Sequence, residues 1–527
     1  MRRAGFTASI WIDALCIDQN NEEEKRQQVA MMGEIFSTAR EVIVWLGEAA
    51  HGVGTSPRSF EWVKDMKMHK SIEQCIRLLA QDAHFHDLPF TFHCMTRNCP
   101  STQHPLQAHT HTWHEVLPIL RIWFDCPWFD RTWTVQEIVL ARHATLMLGP
   151  HTLSWNTVTD AFANLSKHMH GCCSECIFGL PGSEPEEVYT MISHVVDFVV
   201  AKRAMDRGQH LLQALLQFGG KKATEPRDKI YGLLGLQSCR RPTPVLADYS
   251  SSLQEVFTRV ARDVVVSQGS LLTMCLDLRQ EAKGLPSWVP DWSIVSTGPV
   301  VYTLSRFEWA KTYNAAKYLP APVLAEIDDE LMVDGIRVDT ITELGSAYEM
   351  TKDIGDQLAV VRTWREMIGL STNSKTPYIA DGNLEEAFWR TMFGNRFQLR
   401  NHSRPVERDD IDVLQVYIRE AERRHAVYGG DALITLNDAF SSHLTAVLDR
   451  RLFRTTKGWI GVCPKAAICG DHVFVLGDCS VPVVLQAVEA ASGSEVKYRV
   501  LGHCYMQGIM EGEACGLGKA VQRVCIA

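Results

Sequence analysis

The string Trp133-Thr-Val-Gln-Glu137 has the clearest capacity for chemistry. Its indole and carboxylate are four positions apart, so on a helix they share one face. The competing reading is structural, with Glu137 accepting hydrogen bonds from Arg131, Arg142 or backbone. A second group, Asp13, Cys16, Asp18 and Gln19, follows the apolar run 9–13. Two carboxylates so close invite a metal, yet Asp residues at a strand end commonly cap the helix that follows. Cys16 would be a nucleophile beside a histidine, but no nearby histidine pairs with it, and a small buried thiol is the simpler reading. Arg227-Asp228-Lys229 precedes the apolar IYGLLGL. It reads as an ion pair orienting a helix start, or more sharply as an anion site at that helix N-terminus.

Two stretches are rich in metal-ligand types. One carries His84, His86, His93, Cys94, Cys99, His104, His109, His111 and His114; the other is HMHGCCSEC (168–176), with Cys172, Cys173 and Cys176. The first matches no regular zinc spacing and reads as a surface insertion. The second has a Cys-x2-Cys beside two histidines but reads as a structural or accidental cluster, so the expected metal site is none. Gly232 and Gly235 are too few for a phosphate loop, and the common nucleotide, zinc-protease and serine-hydrolase strings are missing.

The elements around these residues alternate. An apolar run over 9–13 suggests a buried strand. Asn21 and Glu24 make a capping box before a helix over 22–40, whose Val29, Met32, Ile35, Phe36 and Ala39 share a face. A second strand over 42–46 closes at Gly47. That unit predicts parallel strands with a right-handed crossover, and a ligand crevice beyond their carboxyl ends. A helix over 130–142, capped by Asp130, and a strand over 145–148 would follow. Residues 60–79, 113–124, 186–217 and 352–450 are helical by periodicity, with 373–377 as a loop. Ser252 precedes a stripe of Val256, Phe257, Val260, Ala261, Val264 and Val265. Asp334-Gly335 between β-prone runs predicts a hairpin over 325–341. It would join the short strands 458–461, 472–476, 481–486 and 498–505, separated by turns at Gly470-Asp471 and Gly477-Asp478, in a small barrel or sandwich.

WIDALCIDQ and EKRQQVAMMGEIFSTAREVIVWLG near the start, WFDRTWTVQEIVLARHATLMLG (128–149), RDKIYGLLGL (227–236), ADYS (247–250), LPSWVPDWS (285–293) and GHCYMQGIMEGEA (502–514) together resemble the fungal heterokaryon-incompatibility (HET) family. Family members usually carry a Tyr-x-Ala-Leu-Ser-Tyr-x-Trp-Gly strand upstream; this chain begins MRRAGFTAS, which suggests an N-terminal truncation. The resemblance implies an α/β fold with an incomplete Toll/interleukin-receptor (TIR)- or flavodoxin-like parallel sheet, a largely helical middle region and a small C-terminal β unit. It divides the chain into a HET core over 1–150, a helical continuation over 151–300, a hairpin with helical insertion over 301–450, and a small β unit over 451–527. It implies non-self recognition and programmed cell death, through self-association or a protein partner. By remote likeness to TIR enzymes, Glu137 would cleave NAD as substrate, with Trp133, Asp13, Asp18, Cys16 and Gln19 around the pocket. A degenerate copy without activity is the third reading. One carboxylate suffices for that chemistry, because the oxocarbenium-like centre is stabilised electrostatically and nicotinamide leaves neutral.

Composition narrows the classes. At 527 residues the chain can bury a large core, and 46% apolar and 22% charged residues are ordinary for globular proteins. The net charge of −9 shows no basic tract, which argues against nucleic acid. No apolar run approaches the ~18–20 residues of a membrane span, and no signal peptide is visible. The 16 cysteines are then expected as reduced thiols in a cytoplasmic setting.

Overall fold

The computed structural model describes residues 9–18, 20–47, 66–84, 88, 113–169, 171–173, 184–208, 210–236, 245–268, 271, 273, 284–293, 308–319, 326–327, 330–349, 354–370, 376–398, 403–428, 446–488 and 496–527. It is a mixed α/β protein with several sheets, divided into two compact units: residues 1–253 with 292–297, and 254–291 with 298–527. Among the described residues no helix is long and apolar enough to cross a membrane.

In the first unit, the strand expected over 9–13 does not form. Ile12 is extended, but Asp13–Cys16 is one helical turn (α1). The Asp13 carboxylate accepts from the Ala14 N–H at 2.8 Å, and the Leu15 and Cys16 N–H groups turn back onto the Ile12 carbonyl. Of the apolar run only Trp11 points inward, edge-on to Phe36 at 5.8 Å. Half of the expected capping box forms: α2 (Glu22–Thr38) starts with the Asn21 side chain accepting from Glu24 N–H, while the Asn21 N–H donates to the Asp18 carbonyl. Glu24 reaches past the cap to the Asp18 N–H at 3.1 Å. Met32 and Phe36 of α2 pack with Val42 and Ala141, flanked by Trp11, Val29, Ala39 and Trp133.

β1 (Val42–Trp45) follows, with Val42 and Val44 buried and Ile43 and Trp45 exposed. The chain continues through α3 (Met66–Ala80), α4 (Trp113–Phe124), α5 (Pro127–Asp130) and α6 (Thr134–Val139). The single helix expected over 130–142 is thus two short pieces. Residues 130–132 instead pair with Lys222: its N–H donates to the Asp130 carbonyl, and its carbonyl accepts from Thr132 N–H at 3.0 Å. Thr134 Oγ1 then restarts the helix by bonding the Trp128 and Arg131 carbonyls. β2 (Ala144–Leu148) pairs parallel with β1 from Val42↔Ala144, and β3 (His151–Ser154) returns antiparallel through a turn whose Gly149 has φ +53°. The parallel relation of the second and third expected strands holds. Helices α7 (Trp155–Met169), α8 (Glu184–Asp206), α9 (Leu211–Phe218) and α10 (Asp228–Tyr231) complete the unit. Phe129, Phe198, Phe218 and Trp155 form its aromatic centre.

In the second unit, α11 (Leu253–Gln268) buries the whole expected stripe from Val256 to Val265. The hairpin expected at Asp334-Gly335 is overturned. After the short β4 (Glu326–Ile327), β5 (Glu330–Tyr348) runs unbroken for 19 residues. Gly335 is there for a close approach: a Cβ on it would lie 2.9 Å from the Val475 carbonyl and 2.7 Å from Leu476 Cδ2. The expected helical region contains α12 (Ile354–Met367), α13 (Leu384–Met392) and α14 (Arg408–Tyr428), with a small hairpin of β6 (Arg396–Gln398) and β7 (Ser403–Pro405). The loop expected over 373–377 lies mostly outside the described residues.

The remaining strands are β8 (Arg450–Thr455), β9 (Ile460–Pro464), β10 (His472–Leu476), β11 (Val483–Val488), β12 (Lys497–His503), β13 (Tyr505–Met506) and β14 (Gln522–Ile526). β5 pairs in turn with β14, β10 and β8, while β10, β11, β12 and β14 connect in order. That circuit closes a small barrel, with β8, β9 and β13 continuing along the second half of β5. Gly470 and Asp478 carry positive φ in the two expected turns.

Candidate functional site

Glu137 sits half-buried in α6, its Oε2 accepting from the Trp128 indole N–H at 3.1 Å. The ring beside this carboxylate in hydrogen-bonding terms is therefore Trp128. Burial pushes the Glu137 carboxyl up, the Trp128 bond and Arg131 pull it back, and the Asp13 charge adds to the rise. Asp13 is thus close enough to act on Glu137 electrostatically. Asp13, Cys16 and Asp18 are all exposed, Asp18 Oδ1 accepting from Asn20 N–H at 3.0 Å. Gln19 lies outside the described residues.

Trp133 turns elsewhere. Its indole N–H donates to Asp228 Oδ2 at 3.1 Å, and Tyr249 Oη donates to the other oxygen at 2.7 Å. Tyr231, edge-on to Tyr249 at 5.1 Å, donates to the Asp248 carbonyl at 2.7 Å. Arg227 forks onto Glu225 and gives its Nη1 to the Tyr249 and Ser251 carbonyls, both at 2.7 Å. Lys25 of α2 lies 4.2 Å over the Tyr249 ring. Three strings that are far apart in sequence (128–149, 227–236 and 247–250) thus converge on Asp228. Its carboxylate ties two aromatic side chains together instead of facing Arg227, which corrects the expected Arg–Asp pair. Burial and the Asp228 charge push the Tyr249 phenol well up, so it stays a donor.

Below this network Gln136 is buried, with its amide nitrogen donating to the Tyr231 carbonyl at 3.3 Å. The two glycines that the helix contact needs are Gly33 and Gly235: a Cβ on Gly235 would lie 3.0 Å from Gly33 Cα. A buried lysine, Lys221, donates to the Phe129 carbonyl at 2.6 Å and lies 4.7 Å over the Phe198 ring. Burial pulls its ammonium down to about 8, against Asp197 and Asp130, while burial raises Asp197 to about 6.

The structure brings together residues from the two His/Cys stretches that were read separately. His84 Nδ1 is 3.1 Å and His168 Nδ1 3.2 Å from Cys172 Sγ, and Cys173 Sγ is 3.9 Å from both His84 Nδ1 and Cys172 Sγ. These four donor atoms lie within 4.8 Å of one another. Cys176 and the histidines and cysteines from 86 to 111 lie outside the described residues. Sequence spacing missed this group because its adjacent cysteines pair with a histidine from another helix end.

A family model described as heterokaryon incompatibility protein (HET) matches residues 1–137, and one described as Het-6 beta-barrel domain matches 430–520. Heterokaryon incompatibility protein 6, OR allele, of Neurospora crassa is 24% identical over 596 aligned positions, covering 96% of this chain and 81% of that protein. Together these matches support a fungal heterokaryon-incompatibility protein. No solved structure matches it. The HET match takes in Glu137 and Trp133, while Asp228, which accepts from Trp133, and Tyr249, which donates to Asp228, fall beyond it. The barrel match likewise omits β5, the strand that closes the circuit.

Proposed function

We propose that this chain acts in heterokaryon incompatibility as a self-association module, in which a second copy docks on the N-terminal unit and assembly triggers cell death. The reading rests on the apolar surface of the HET-matched region. Ile10 is 62%, Ile12 44%, Leu15 80%, Ile43 43% and Trp45 47% exposed. Contiguous exposed apolar side chains mark association surfaces, and Ile43 and Trp45 share one face of β1. Among the described residues no strand pairs with the outer edge of β1, so a second copy of the same strand offers a self-complementary partner. The test is sedimentation of the full chain beside Ile43→Ser/Trp45→Ser, which leaves buried Val42 and Val44 in place. Concentration-dependent assembly of the parent and a monomeric variant are expected. A parent that stays monomeric at high micromolar concentration overturns the reading.

A second reading, TIR-like cleavage of NAD at Glu137, is supported by one observation. The carboxylate is held by an indole N–H, with the Asp13 charge acting on it. Nicotinamide release by the full chain, lost in Glu137→Gln with folding intact, is its expected outcome. Release that survives Glu137→Gln, or none from the parent, rules this site out.

A further inference from the structure

We propose that His84, His168, Cys172 and Cys173 bind one tetrahedral divalent metal of the zinc class, which clamps the C-terminal ends of α3 and α7 together. The donor set is two imidazoles and two thiols, the combination that selects zinc over oxygen-loving cations. Zinc–nitrogen and zinc–sulfur bonds of about 2.0 and 2.3 Å put tetrahedral ligands roughly 3.3–3.8 Å apart. Four of the six separations, at 3.1, 3.2, 3.9 and 3.9 Å, bracket that range, and all six are within 4.8 Å before any ion draws the atoms in.

The backbone is built to present these atoms. α3 ends in a turn where Asp82 has φ +66° and the Ala83 N–H donates to the Leu78 carbonyl, which carries His84 back toward α7. At the end of α7 the Gly171 and Cys173 N–H groups both return to the His168 carbonyl at 3.0 Å, folding the cysteines over the His168 ring. Asn164 Nδ2 donates to the Leu79 carbonyl at 3.0 Å and fixes the spacing of the two helix ends.

Asp82 supplies an independent sign. Its Oδ1 is 3.0 Å from His168 Nε2, the ring nitrogen pointing away from Cys172. A carboxylate there holds the Nε2 proton and leaves Nδ1 as the lone-pair donor, the arrangement that orients metal-bound histidines. Four protein ligands leave no open position, so the site is structural and not hydrolytic. Two thiolates balance the charge of a divalent ion, which suits a site with Cys173 fully buried and His168 8% exposed.

The experiment uses the full chain. Elemental analysis of protein purified from zinc-supplemented cells should give about one zinc per chain. Cobalt added to the metal-free chain should produce the thiolate charge-transfer band and intense visible bands of a tetrahedral sulfur-ligated ion. Cys172→Ser and His168→Asn should lose both signals, while Cys469→Ser, an exposed cysteine of the other unit, should keep them. Should a ligand variant fail to fold, Asp82→Asn decides: it leaves every ligand in place and should weaken cobalt binding about 10–100-fold. A parent chain without zinc and without the cobalt bands overturns the proposal. So does full retention of both signals in Cys172→Ser, or unchanged cobalt affinity in Asp82→Asn.

Discussion

The three-stranded sheet of the first unit and the barrel of the second both cover an apolar layer, but they use different materials. The barrel closes by backbone: one 19-residue strand changes partner twice, and glycines let neighbouring chains approach. Val473, Phe474, Val475, Leu476, Val483, Val484 and Leu485 are fully buried on strands that read as apolar in sequence. The sheet unit closes by side chains. Trp133–Asp228, Lys221–Phe129 and Lys202–Ala141 are polar bonds between segments far apart in the chain, and Trp128–Glu137 adds a shorter one across the break between α5 and α6. The lesson is that hydrophobic closure can be read from local pattern, whereas closure by single long-range polar bonds cannot.

The sharpest way to break that comparison is to add one methyl group to each unit. A Cβ on Gly461 would lie 2.0 Å from the Tyr505 carbonyl and 2.7 Å from the Phe453 ring, neither of which can step aside. Gly461→Ala should cost about 3 kcal/mol or more, at the upper end of overpacking effects. On Gly235 the nearest atom, at 2.2 Å, is Gln136 Oε1, the end of a side chain, and the closest backbone atom, Gly33 Cα, is 3.0 Å away. Gly235→Ala should therefore cost about half as much. Hydrogen exchange resolved by peptide separates the two units and reports each cost. Equal losses would mean that the sheet unit is closed by backbone as rigidly as the barrel.

The second test uses the charge buried in the sheet unit. Lys221 titrates near 8 in the folded chain against an ordinary 10.5. Between those values the unfolded chain binds more protons, so stability should rise with pH across pH 8 to 10.5, by about 3 kcal/mol in all. Asp197, raised to about 6 by burial, works with the opposite sign: what it contributes is present below pH 3.8 and fades as pH climbs through 6. Lys221→Met should remove the alkaline rise in peptides of residues 113–236 and leave barrel peptides unchanged. An alkaline rise of equal size in Lys221→Met would refute the assignment.

The third concerns Asp228. Asp228→Ala strands the Trp133 indole N–H and the Tyr249 hydroxyl together, which should cost about 2 kcal/mol. If the two bonds act as one network, Asp228→Ala and Tyr249→Phe should be strongly non-additive in unfolding measurements. Additive costs would reduce the convergence of the three sequence strings to accidental contacts.

These contrasts explain what was legible. Asn21 and Glu24 marked the start of α2, and the stripe from Val256 to Val265 marked α11, because caps and periodicity are local. The parallel pairing of β1 with β2 followed from two apolar runs flanking a helical stretch. Asp334-Gly335 misled because the same dipeptide serves a turn or a close strand crossing, and only the distant Leu476 decides between them. The 9–13 run misled for a similar reason: one inward tryptophan on Phe36 outweighs an alternation with no partner strand. At the candidate site, Glu137 was visible as a residue type in a helical string. Its actual partner Trp128 and the role of Asp228 depend on a helix broken at Arg131, which nothing in the local sequence announces.

The smallest expected effect falls on Glu137, where the two materials meet. Replacing it by Gln keeps an acceptor for the Trp128 indole N–H and removes the charge. Losing charge assistance on that bond costs about 1 kcal/mol. The carboxyl nonetheless lies above its ordinary 4.5, so burial outweighs the Trp128 bond and Arg131 combined, and the ionised form is the less stable one in the fold. A group raised in this way lends stability below pH 4.5 and loses it as pH rises through its folded value. Glu137→Gln should therefore match the parent in acid and melt slightly above it at neutral pH. Melting curves of both proteins from pH 4 to 8 measure it. A variant less stable than the parent at neutral pH would show that Glu137 serves the fold as an ion, a role for which its charge is kept on structural grounds. A stabilised variant would mean that the charge is carried at a cost to the fold, as in sites where chemistry needs a carboxylate that packing disfavours.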